Sequence, residues 1–330
     1  MARSHLTLAA LAASAVADLD VAGAQPFGTP GGDFDASLLT GRDGRHWIVR
    51  VPRSERAESE QSADLEALRA LSAGVRSRLP FAVSRFAGQV PFDGTRAIVY
   101  EFVYGAKVPI TAFTTDYASS VGEAIAAIHA LPTSFVVDAG LPSHTSVEAL
   151  RATMELVDRA AATGLIPATL LSRWEKAGEE SALWQFTPTV VNGGLSADSF
   201  LASESAVTGV LGWHGLRVSD PARDLAWLLG AGPDMFAAAF DAYSRQRGSV
   251  DSQLRHRAAL LSELEIARWL MHGAEVRSTE IVDDAVRMLA GLVDDVQQET
   301  SKPLTDETQP VLGLDEVEDL LSRTERVSDR

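Results

Sequence analysis

Cysteine is absent from this 330-residue chain. Its absence excludes disulfides, thiol nucleophiles and Cys-ligated zinc, and fits a reducing cytoplasm, the compartment we expect. Long apolar runs are missing too: none approaches the roughly 18–20 residues that span a bilayer. Positive charge is scarce, with 29 Lys and Arg against 45 Asp and Glu, a net charge of −16 and a pI near 4.8. Phosphate-rich partners would be repelled, so neither nucleic acid nor an anionic membrane is expected as a partner. What remains is ordinary globular composition: 46% hydrophobic, 22% charged, mean hydropathy +0.02. At roughly 150 residues per domain, the length allows two lobes sharing a core.

Leu6 to Ala17 (LTLAALAASAVA) mimics the apolar region of a signal peptide. A single basic residue precedes it and half of it is Ala and Ser, so we read it as an amphipathic helix packing Leu6, Leu8 and Leu11 onto the body. No internal repeat is present. Asp33–Thr40, a GRDG turn and His46–Val51 read as a β-hairpin, Ser62–Leu71 as a helix, and Ala97–Val103 as a strand. Beyond Gly105 the pattern turns helical. Tyr117, Val121, Ile125 and Ile128 share a face closed by Pro132, and Thr145 with Glu148 forms a capping box for a helix running towards Gly164. Thr189–Trp213 reads as a β-rich interruption. Helices then resume, one with Leu260, Leu264, Ala267 and Met271 on a face and Gly273 as its stop. The last long helix carries Ile281, Ala285, Met288, Leu292 and Val296, capped by Ser278. Residues 299–312 read as a linker, and Leu314, Val317, Leu320 and Leu321 as an apolar stripe on a short helix in an acidic tail, able to dock on the body or on a protein partner.

Val190–Leu229 (VVNGGLSADSFLASESAVTGVLGWHGLRVSDPARDLAWLL) resembles the aminoglycoside/macrolide phosphotransferase family, small-molecule kinases of protein-kinase-like fold. The family pattern is H-G-D-L-x-x-x-N, two short strands, V-I-D-W, then D-P-x-x-D-L-A, and the spacing matches without a gap. WIVRVPR resembles the family's third strand, LPFAV precedes the next, YEFVYG resembles the hinge, and GEAIAAIHALP the first helix of the large lobe. The resemblance implies an α+β, bilobal fold: an N-lobe at 1–104 (N-terminal helix, antiparallel sheet, one helix), a helical C-lobe at 105–299, and a tail at 300–330.

Carried over position by position, the resemblance places the family's catalytic Asp at Gly194 and the preceding His at Asn192. Its metal-binding Asn falls at Ser199 and its metal-binding Asp at Gly212. Glycine supplies neither a metal ligand nor a base, and one hydroxyl cannot replace a carboxylate cage around Mg²⁺. We therefore expect no metal and no catalytic constellation, with Mg-ATP or Mg-GTP as cofactor only if an unorthodox site is active. Asp198 and His214 are the possible substitute bases; the plainer reading is that Asp198 points elsewhere or caps its turn, that Asn192 and Ser199 bond local backbone, and that His214 is structural. Arg50, or less well Arg53, occupies the region of the phosphate-binding Lys. Asp64 is the best-aligned acidic partner, with Glu60 and Glu66 behind it; the plainer alternative is a surface ion pair. Gly28–Gly32 (GTPGG) is either the phosphate-covering turn or an ordinary Gly/Pro turn. Tyr100–Val103, notably Glu101 and Val103, would present the adenine-binding backbone or form a plain core strand. Asp220 and Asp224 retain the family's structural pattern. The expected function is a pseudokinase acting as a binding or regulatory module; the alternative is an active small-molecule phosphotransferase. A further reading is a receptor for a small cationic or neutral metabolite in the cleft, without phosphate transfer.

Overall fold

The computed structural model describes residues 3–28 and 31–298. The tail stripe at Leu314–Leu321, and Thr29 and Pro30 of the GTPGG turn, lie outside the described residues.

The first part of the chain is a sheet between helices. In chain order it runs α1 (His5–Ala15), β1 (Val21–Phe27), β2 (Phe34–Gly41), β3 (His46–Pro52), α2 (Glu55–Ala70), α3 (Ala73–Arg76), β4 (Ala82–Val83), β5 (Phe86–Phe92) and β6 (Thr95–Glu101). Strands β1-β2-β3-β6-β5 form an antiparallel sheet in that order. Period-two alternation divides its faces. Trp47, Val49, Val51, Ala97 and Val99 face α1, where Leu8 and Ala12 are buried among them. Ile98 and Tyr100 face the opposite way and join Leu65 and Leu68 of α2 in the main core. Leu6, expected to pack, is 67% exposed: it lies two residues from Leu8, on the far side of the helix. The four-residue α3 was not expected.

The second part is mainly helical: α4 (Thr115–His129), α5 (Ser134–Asp138), α6 (Ser146–Ala161), α7 (Ala168–Glu179), β7 (Thr189–Val191), β8 (Phe200–Ser203), β9 (Ala206–Val210), β10 (Arg217–Ser219), α8 (Ala222–Leu225), α9 (Pro233–Arg247), α10 (Leu254–Glu275) and α11 (Thr279–Gln298). The apolar face of α4 is buried as expected, and the Thr145–Glu148 capping box forms. Helices α4 and α9 cross at Gly122, where a β-carbon would meet the Ala239 carbonyl. Gly273 does not stop α10. It is buried inside that helix, where its missing side chain makes room for Ile281 of α11. Ser278 does cap α11, accepting from the Ile281 N–H at 3.4 Å. Met288 is 46% exposed and Leu289 fills the core position, because the buried stripe follows Ala285 by four residues.

Two small sheets carry the motif-bearing loops. β7 pairs with β10, and β8–β9 is a hairpin to which β4 adds a parallel strand. Among the described residues no helix is long and apolar enough to cross a membrane.

Candidate functional site

The loop after β7 and the loop after β9 meet beneath the sheet. Asn192, fully buried, joins them: its Nδ2 donates to the Gly212 carbonyl at 2.9 Å, and its Oδ1 accepts from the Gly194 N–H at 3.2 Å. Beneath it, Asp224 accepts from the backbone N–H of Asn192 and of Gly193, both at 2.7 Å. His129 Nε2 lies 3.3 Å from the same carboxylate, and His129 Nδ1 is 2.9 Å from the Tyr243 hydroxyl. Asp220 accepts from the Ala222 N–H just ahead of α8 and from Arg257, itself fully buried and paired with Asp251 at 2.6 Å. Both aspartates thus fix loop backbone. The loops approach so closely that a β-carbon on Gly193 would lie 2.4 Å from the Gly215 carbonyl oxygen.

The side chains facing this frame are few. Gly212 sits at φ +71° with open space on its β-carbon side. Ser199 turns its hydroxyl into its own turn, accepting from the Ser196 N–H at 3.2 Å. Asp198 points to solvent and pairs with Lys107 at 3.2 Å. His214 comes to Gly194 across the gap between the loops, and its Nδ1 lies 3.9 Å from Glu60. The sequence offered no sign of this contact, because spacing along one loop says nothing of what the other loop brings.

Arg50 and Asp64 make no ion pair; the expected partnership is corrected. The guanidinium of Arg50 stacks on the Phe34 ring, 3.8 Å from its centroid. Asp64 accepts instead from the Trp213 N–H at 2.7 Å, tying α2 to the residue after Gly212. Burial pushes the Asp64 carboxyl above its ordinary range, against the lowering effect of that hydrogen bond and of Arg50. The neighbouring Tyr100 phenol is also pushed up by burial, and its hydroxyl has no hydrogen-bond partner among the described residues. Glu60 faces His214, whereas Glu66 is exposed; Arg53 turns to Asp35 and the Gly32 carbonyl.

At the hinge, Glu101 donates its N–H to the Arg85 carbonyl and Phe102 to the His46 carbonyl. Glu101 spends its side chain on Arg45 at 3.2 Å. Val103 is left with a backbone N–H and C=O free of partners among the described residues, the donor–acceptor edge a purine would need. The two residues assigned to metal do not fit a divalent cation: the Ser199 oxygen is bonded locally, Gly212 has no side chain, and no three His, Asp or Glu among the described residues gather to hold a metal.

A family model described as the phosphotransferase enzyme family, APH, matches residues 25–261. The YcbJ protein of Bacillus subtilis (strain 168), described as uncharacterized, is 23% identical over 202 residues. That match covers 59% of this chain, which spans 66% of the relative, just under two thirds. Among solved structures, the macrolide 2'-phosphotransferase MphH of Brachybacterium faecium superposes with a TM-score of 0.72 at 21% identity, over 87% of this chain and 98% of that one. A type I macrolide 2'-phosphotransferase gives 0.70 at 26% identity, over 86% and 96%. The GDP complex of an aminoglycoside 2'-phosphotransferase-IIIa gives 0.72 at 19%, over 89% and 100%.

Proposed function

The chain belongs to the phosphotransferase enzyme family, and from that premise we propose that it is a catalytically silent member: a bilobal, kinase-like module that binds a ligand in its cleft without transferring phosphate. One observation carries this reading. The two loops of the site are held in register by Asn192, yet glycines stand at both positions where the family resemblance puts a carboxylate. A preserved frame without its acids retains binding and loses transfer, since phosphoryl transfer depends on charge placed on the metal and on an oriented acceptor hydroxyl.

Nucleotide fits the remaining groups in part. The Val103 edge would receive the base, and Arg50, stacked on Phe34 at the start of β2, supplies positive charge. The expected binding is independent of metal. Calorimetric titration with ATP and with GTP, with and without excess Mg²⁺, tests this. Equal affinity within about tenfold (1.4 kcal/mol), together with no phosphate transfer to macrolides or aminoglycosides, is the expected result. A larger gain with Mg²⁺, or measurable transfer, overturns the reading.

One observation favours the alternative, an active kinase of unorthodox site using Mg-ATP or Mg-GTP. His214 lies against Gly194 and backs onto Glu60, the order of groups in a base and its orienting carboxylate. Turnover abolished by His214→Asn would identify it.

A further inference from the structure

A cluster of rings marks the hinge. Phe102 and Tyr104, on either side of Val103, meet edge to face with centroids 4.9 Å apart. His46 of β3 lies against both, at 6.1 and 5.9 Å, and its Nδ1 is 2.9 Å from the Tyr104 hydroxyl. The last ring comes from the far side of the sheet: Phe27, at the end of β1, meets Phe102 edge to face at 6.3 Å.

Strand register shows how far that ring reaches. Phe27 pairs with Ala36, Ala36 with Arg50 and Arg50 with Ile98, so the four share a row and a face, the one on which Ile98 and Tyr100 join the main core. Leu38 and Ile48 form the next row on that face towards the hinge, paired with each other and with Tyr100. Two strands lie between Phe27 and β6. To touch Phe102, the Phe27 ring leans across the row of Leu38 and Ile48. Phe27 stays 45% exposed and Tyr104 61%, which sets the contact at the mouth of the cleft.

The two sides of this contact are held unequally. The hinge is fastened to the β8–β9 hairpin: Ala106 and Ala202 exchange backbone hydrogen bonds at 2.8 Å, and Thr208 Oγ1 donates to the Tyr104 carbonyl at 3.2 Å. Val103 packs its side chain so closely on Gly209 that a β-carbon there would lie 2.5 Å from Val103 Cγ1. On the other side, β1 is an edge strand paired with β2 alone among the described residues. Phe27 is followed by Gly28 at φ +92°, a conformation that suits glycine and eases a change of direction. The contact therefore opens from the Phe27 side.

We propose that Phe27 and Phe102 form a clasp that closes the mouth of the cleft at Val103, so that a planar base enters only when Phe27 swings off the hinge. The clasp rests on the reading of the Val103 edge as the base site and adds its control. A ligand meets the open form alone, and its apparent affinity is reduced by the fraction of molecules in that form.

The test is calorimetric titration of the full chain with adenosine and with guanosine, which carry the ring without phosphates, and with inorganic triphosphate, which carries no ring. Phe27→Ala should bind nucleoside about two- to tenfold more tightly, the worth of one aromatic pair, and triphosphate no differently. Phe27→Tyr keeps the ring and should bind as wild type does. Phe102→Leu should give a gain similar to that of Phe27→Ala. The double variant should gain no more than either alone, because both remove one contact. Nucleoside bound equally or less tightly by Phe27→Ala would overturn the clasp and leave the nucleotide reading standing. Additive gains, or a gain for triphosphate, would overturn the clasp as well. Nucleosides bound by neither wild type nor variants would overturn both.

Discussion

The Nε2 of His214 lies 3.3 Å from the point where a β-carbon on Gly194 would stand. An imidazole thus borders the place from which the family's catalytic carboxylate would project, and any attempt to rebuild that carboxylate must contend with it. The contact is tight but yielding, because the His214 side chain is 38% exposed and can swing.

Gly194→Asp, Ser199→Asn and Gly212→Asp together should restore metal-dependent ATP binding. Gly212 offers the room, and aspartate is among the few side chains that tolerate its left-handed backbone. A Mg²⁺-dependent rise in melting temperature with ATP is the expected outcome. A folded triple variant without that rise would mean that the loops have lost the family's shape. Turnover is not expected to return, since misplacement by about 1 Å costs on the order of 100-fold.

Asp64 sets a pH dependence. Its carboxyl is raised by burial, so the folded protein holds that proton more tightly than the unfolded chain does. Stability therefore falls as pH rises from the ordinary carboxylate range through the raised value, and stays lower above it. Asp64→Asn keeps an oxygen for the Trp213 N–H, and should flatten this dependence and raise stability at neutral pH. Urea denaturation at several pH values measures both; a stability loss at pH 7 would show that Arg50 outweighs burial.

Asp224→Ala should cost about 3–5 kcal/mol, because it strands two buried N–H groups and the His129 ring. Tyr243→Phe, which removes only the far end of that chain of contacts, should cost about 1 kcal/mol. Chemical denaturation separates the two, and similar losses would mean that Tyr243 carries the network.

Gly122→Ala should destabilise by about 1–3 kcal/mol or more, because its β-carbon would stand 2.0 Å from the Ala239 carbonyl oxygen. The same substitution at Gly291, with open space around it, should be neutral or stabilising on an exposed helix. The paired melting temperatures check the contrast.

Local signals were legible in the sequence where one element decides its own form. The β2–β3 hairpin, the buried face of α4 and the Thr145 capping box each follow from spacing and cap chemistry alone. Gly273 misled because a glycine inside a helix can serve a neighbouring helix, a fact visible only once Ile281 is set against it. Met288 and Leu289 differ by one step of about 100°, within the drift of an apolar stripe over a long helix. The site was harder to read. Asp64 was found as the acid of α2, but its partner is a backbone N–H of Trp213, and backbone groups leave no mark in composition.

The amide of Asn192 has a bearing on heredity. Because one side chain holds the main chain at both Gly194 and Gly212, the shape of the two loops does not depend on a carboxylate at either position. A single base change can turn a glycine codon into an aspartate codon. Carboxylates at these two positions are thus a short mutational walk away for loops already held by another residue, whereas a change at Asn192 would release both loops at once.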